Sequence, residues 1–81
     1  MKDRINWNGN NWAFNCDFNN HDMGSAQTSG SNCGPTCAAT AGCTHFSWTG
    51  YNGGTCWLKK DAVSKSDAFY SSTSGIVCGV V

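Results

Sequence analysis

The stretch CTHFSWTGYNGGTCWLKK, residues 43–60, decides how this chain folds. It holds four aromatic rings and two cysteines, and Asn52-Gly53-Gly54 divides it. Asn-Gly-Gly supplies the positive φ angles that a tight hairpin turn requires. Residues 43–49 and 55–60 therefore read as two antiparallel strands joined across 50–54. Successive side chains of a strand point to opposite faces. Some of these rings must then build a core, and others are left for the far side of the sheet.

Working outward, residues 12–18 (WAFNCDF) alternate strictly, with Trp12, Phe14, Cys16 and Phe18 on one side. That pattern predicts a half-buried strand whose rings are core. Residues 1–11 form an irregular lead-in or a short edge strand carrying Ile5 and Trp7. Residues 19–31 are rich in Gly, Ser, Asn and Thr and read as a loop, with a short strand near 21–23. One helix follows, capped by Ser31 or Asn32, with Pro35 in its first turn and Gly42 as its stop. Cys33 and Cys37 stand one turn apart on a single helix face. Residues 61–74 are polar apart from Ala68-Phe69-Tyr70, and residues 75–81 (GIVCGVV) close the chain as a β-branched strand. Strand, loop, helix, hairpin, long loop and strand make an α+β arrangement, an antiparallel sheet with a helix on one face.

Composition narrows the function. Eighty-one residues make one domain with a thin core. Its six cysteines are an even number in a short chain, which reads as three disulfides and an oxidising compartment. The cysteines are separated by sixteen, three, five, twelve and twenty-one residues. No C-x-x-C pair occurs, and neither His21 nor His45 falls in a zinc-finger spacing. Six cysteines allow fifteen pairings, and spacing does not choose among them. Net charge is zero, and only Lys59 and Lys60 adjoin, so no basic face for nucleic acid is expected. No apolar run is long enough to span a membrane. The opening residues MKDRINWNGN have no apolar core of a signal peptide. The chain is expected to be a module of a longer secreted protein, or a mature form with an added Met1. No N-x-S/T sequon is present.

The pattern Cys33-x3-Cys37-x5-Cys43-Thr-His-Phe-x-Trp, then Gly53-Gly-Thr-Cys-Trp-Leu-Lys59, resembles the PAN/Apple domain family. Asn15-Cys-Asp-Phe18 and the closing Cys78-Gly-Val extend the resemblance over residues 12–80, leaving 1–11 as lead-in. The resemblance implies a curved antiparallel sheet of about five strands around one α-helix. It implies the bridges Cys33–Cys56, Cys37–Cys43 and Cys16–Cys78. It also implies a non-catalytic binding module of extracellular proteins, some members binding proteins and others carbohydrate. Gly34-Pro35 between the helix cysteines departs from the family pattern.

If Cys56 bridges to the helix, Cys56 and Leu58 face inward and Phe46 and Trp48 join them. The outer face then carries His45, Ser47, Thr49, Thr55, Trp57 and Lys59. One ring among hydroxyls, an imidazole and an amine would form a sugar platform, with Tyr51 exposed at the hairpin tip. The competing reading covers Trp57 with the lead-in, where Ile5, Trp7 and Trp12 need partners. Nothing points to catalysis. His21 and Asp22 are adjacent and so point apart, no G-x-S-x-G elbow occurs, and oxidised cysteines are not nucleophiles. Asp17, Asn19 and Asp22 lack the ligand count of a calcium loop, and no metal or cofactor is expected. The expected ligand is a glycan or polysaccharide. The alternative is a protein partner or self-association, which needs a contiguous apolar patch.

Overall fold

The computed structural model describes residues 5–9, 11–73 and 75–81. Among these residues it shows one α-helix, α1 (Gly30–Ala38), and eight strands. The strands are β1 (Trp7–Asn8), β2 (Trp12–Phe14), β3 (Cys16–Asp17), β4 (Asp22–Gln27), β5 (His45–Thr49), β6 (Thr55–Lys59), β7 (Phe69–Tyr70) and β8 (Val77–Val80). Six of them form one sheet in the order β1-β2-β8-β5-β6-β4, and β3 pairs with β7 in a separate ribbon. Every pairing is antiparallel. The fold is α+β, with six strands in the larger sheet where about five were expected.

The hairpin forms as its turn residues dictate. Asn52, Gly53 and Gly54 all take positive φ, and Phe46 stands opposite Leu58 in the ladder. Two segments differ from expectation. Residues 22–27, read mostly as loop, pair along the whole of β6. Their small, polar side chains have low strand propensity, but a free edge on β6 offers main-chain partners whatever the side chains are. The second difference lies within residues 12–18. Asn15 takes φ 59°, the left-handed conformation that Asn tolerates better than most residues, and ends β2 there. Cys16 then leaves for the small ribbon. Ala13, not its neighbouring rings, becomes the fully buried residue of β2.

The core has two layers, one on each side of the six-stranded sheet. On the helix side, Cys33 and Cys37 of α1 pack with Cys43, Phe46, Cys56, Leu58 and Val77, and Trp48 lies against them. On the other side, Ile5, Ala13, Cys16, Phe18 and Cys78 cluster, with Trp7, Val63 and Ala68 beside them. Ile5 and Trp7 of the lead-in thus belong to the core, and Lys65 covers the Trp7 ring at 5.6 Å.

Three disulfides staple the layers: Cys33–Cys56, Cys37–Cys43 and Cys16–Cys78, the pairs named above. The last spans a sequence separation of 62 and constrains the unfolded chain by about 4 kcal/mol in the loop-entropy account. The helix begins at Gly30, earlier than its cap residues suggest, so Pro35 falls in its interior instead of its first turn. A proline there removes a hydrogen bond. The bridges from Cys33 and Cys37 hold the helix on the sheet in spite of it.

Candidate functional site

The hairpin face expected to lie open is closed. His45, Ser47, Thr55 and Lys59 are all buried, His45 at 1% exposure. β3 and the segment that follows it lie over the His45, Ser47 and Lys59 part of this face. Ser47 donates to the Asp17 carboxylate, and the Phe18 ring meets His45 edge-on at 4.8 Å. Lys59 pairs with Asp22 and donates to the carbonyl of Asn20 at 3.3 Å. Thr55 donates to the Tyr51 carbonyl at 2.7 Å. Trp57 and Thr49 are half-buried, and the Trp57 indole N–H donates to Thr49 at 3.1 Å. Among the described residues, the lead-in strand β1 does not lie beside Trp57, because β1 and β6 are separated by three strands. Tyr51 lies beside the Trp57 ring instead, 6.0 Å between centroids. Of the predicted residues only Tyr51, 66% exposed, stands out in solvent. Parity sorted the two faces correctly, but a sheet with a layer on each side has no open face there.

His45 shows the electrostatics of this closed layer. Thr44 donates its hydroxyl proton to the Asp61 carbonyl at 2.6 Å, so it accepts from His45 Nδ1–H at 2.9 Å. Nε2 is then the bare nitrogen, buried with no hydrogen-bond partner among the described residues. Burial holds the His45 pKa below its ordinary value, and the nearby Lys59 and His21 charges push the same way. His21, expected to point away from Asp22, pairs with Asp61 at 2.9 Å on the surface.

The open aromatic surface lies on the helix side of the sheet, at its other end. A helix is about 10–12 Å across with its side chains. Strands lie about 4.8 Å apart, so one helix covers two or three of them. Helix α1 packs on β5, β6 and β8. The sheet extends past it, and β2 lies on the uncovered end. Register places Trp12 level with Gly79 and Phe46, and Phe14 level with Val77 and Trp48. Trp12 and Phe14 therefore share the helix-side face but have no helix above them. They are 37% and 56% exposed, although their alternation predicted core. Their rings meet edge to face, 5.1 Å between centroids and 78° between planes.

Between these rings and the helix runs a groove of about 810 Å³, within the range of small-molecule sites. Phe46, Trp48 and Val77 floor it. Gly30, Gly34 and Ala38, four residues apart on α1, line its helix wall. Their small side chains leave the groove wide, and Phe46 lies just 3.4 Å from where a side chain on Gly34 would begin. Trp48 uses its indole N–H on the Thr28 carbonyl at 2.6 Å, which leaves ring surface for the floor. The signal for this site was present in the sequence. Asn15, a residue prone to left-handed backbone, interrupts the alternation and separates Trp12 and Phe14 from Cys16 and Phe18.

All six cysteines are oxidised, so the chain carries no free thiol. Among the described residues no group of His, Cys, Asp or Glu is arranged to hold a metal ion. No helix among them is long and apolar enough to cross a membrane. No family model matches the chain, and no curated protein or solved structure is significantly similar to it.

Proposed function

We propose that this is a non-catalytic glycan-binding module of an extracellular protein, and that it grips its ligand at the Trp12–Phe14 end of the sheet. The carrying observation is the pair of exposed rings on the wall of a broad groove. An aromatic face offers a flat, apolar, electron-rich surface to the C–H face of a sugar. Exposed rings that adjoin an apolar groove make a contiguous surface of the kind that marks a binding site. Three disulfides suit an oxidising compartment, which supports secretion. The resemblance to the PAN/Apple family, whose members are binding modules, points the same way. A protein-interaction or self-associating adhesion module is the second reading, and the apolar floor of the same groove favours it.

The test is retention on insoluble cellulose, chitin and xylan, together with a soluble glycan array. Wild type is compared with Trp12→Ala, Phe14→Ala and Tyr51→Ala. Loss of one ring contact is expected to weaken binding roughly tenfold, the equivalent of about 1.4 kcal/mol. Trp12→Ala and Phe14→Ala should show it with their circular dichroism unchanged. Tyr51→Ala, beside Trp57 of the other sheet face, should bind like wild type. A wild type that is retained by no glycan overturns the reading and leaves the protein-interaction alternative.

A further inference from the structure

We infer that the site continues past Phe14 into a second hollow, and that its ligand is a linear, uncharged glycan chain lying across both. This rests on the glycan reading above and goes beyond it in naming the ligand's charge and extent. The second hollow, about 260 Å³, is lined by Asn6, Asn8, Phe14, Asn15 and Tyr70. Phe14 is therefore the shared wall of the two hollows. Register carries the surface across. Asn8 of β1 pairs with Trp12 of β2, so Asn8 stands on the same sheet face as the two rings. An occupant of the groove that passes over Phe14 meets amide side chains next.

Those amides give the second hollow its chemistry. A carboxamide presents two donors and an acceptor, which matches hydroxyl and acetamido groups that both donate and accept. Asn15 also donates to the Thr73 carbonyl at 3.4 Å, which fixes how that amide stands. Neither hollow is lined by Lys, Arg, His, Asp or Glu among the described residues. A uronate or sulfate entering either one would lose hydration and find no counter-charge among the described residues, a cost that a neutral sugar escapes. The larger hollow lies within the usual ligand range of about 300–1,000 Å³ and the smaller just below it, so a single sugar would leave one of them empty.

The experiment is isothermal titration calorimetry on the whole domain. The probes are cello-, chito- and xylo-oligosaccharides from disaccharide to hexasaccharide, with oligogalacturonate as the acidic probe. For the wild type, affinity should rise with length and then level off once both hollows are filled. Asn8→Ala and Tyr70→Ala should flatten that rise and lower hexasaccharide affinity roughly tenfold. Asn8 is exposed, so its variant folds even if Tyr70→Ala does not. Oligogalacturonate should bind more weakly than the neutral chains at every length. Suppose the wild type binds glycan and Trp12→Ala weakens it, yet Asn8→Ala matches wild type at all lengths. The second hollow is then no subsite, and the proposed function stands without it. Tighter binding of oligogalacturonate overturns the neutral-ligand assignment. Failure of the wild type to bind any glycan overturns the proposed function itself.

Discussion

The Phe46 ring occupies the space in which a side chain on Gly79 would begin. The nearest ring carbon lies 2.5 Å from the position of a β-carbon there, and the Asn11 carbonyl is equally near. The two residues face each other across β5 and β8 on the helix side of the sheet. The glycine in the closing GIVCGVV strand is therefore a packing requirement. It lets a buried aromatic ring lie flat on the central strand and form the floor of the groove.

Gly79→Ala is expected to lower stability by about 1–3 kcal/mol, the usual cost of overpacking, and nearer the top of that range. Phe46 is a buried core ring, and the second clash is with backbone. Urea titration should show a lower midpoint with an unchanged slope. A midpoint equal to wild type would mean that the ring and the strand have slack the structure does not show.

Asn15 should behave as a backbone switch. Its φ of 59° costs a branched residue roughly 1–2 kcal/mol, whereas glycine adopts it freely. Asn15→Val is therefore expected to lower the melting temperature by roughly 5–15 °C, and Asn15→Gly by much less. If the two variants melt together, the left-handed conformation is not what divides β2 from β3.

Acid should destabilise the domain through His45. In the unfolded chain this residue titrates near its ordinary value of about 6.5. In the native state burial, with Lys59 and His21 nearby, lowers its pKa; Asp67 and Asp22 oppose this more weakly. Above about pH 6.5 both states hold it neutral, and it contributes no pH dependence. As pH falls below that, the unfolded chain takes up the proton first, so stability drops, by at most about 1.4 kcal/mol per pH unit for one group. Urea midpoints measured between about pH 7 and pH 5 should fall for wild type and flatten in His45→Gln. An equal slope in both would assign the effect to another group.

Much of the architecture was legible in residues 43–60. Asn-Gly-Gly placed the turn, and alternation sorted Phe46, Trp48, Cys56 and Leu58 onto the helix side. The candidate site was harder to find. His45, Ser47, Thr55 and Lys59 were assigned to the correct face, yet that face is covered by Asp17 of the short strand β3, by Phe18, Asn20 and Asp22 after it, and by Tyr51. Strands that short carry too little periodicity to announce a second layer. Trp12 and Phe14 were placed in the core because alternation reports which residues share a face, not whether anything lies above them.

By itself, then, the sequence determined what is local: the hairpin turn, the face parity of its strands, a helix with two cysteines on one side, and the α+β class. Backbone preferences and strand alternation act within a few residues, so a linear string records them. Only the tertiary structure decided which faces are covered. The closing strand inserts between β2 and β5, β3 and Phe18 close over Ser47 and His45, and one helix is too narrow for six strands. Coverage depends on how elements far apart in the chain come together. That is why the two rings expected to be buried, Trp12 and Phe14, stand at the open end of the sheet.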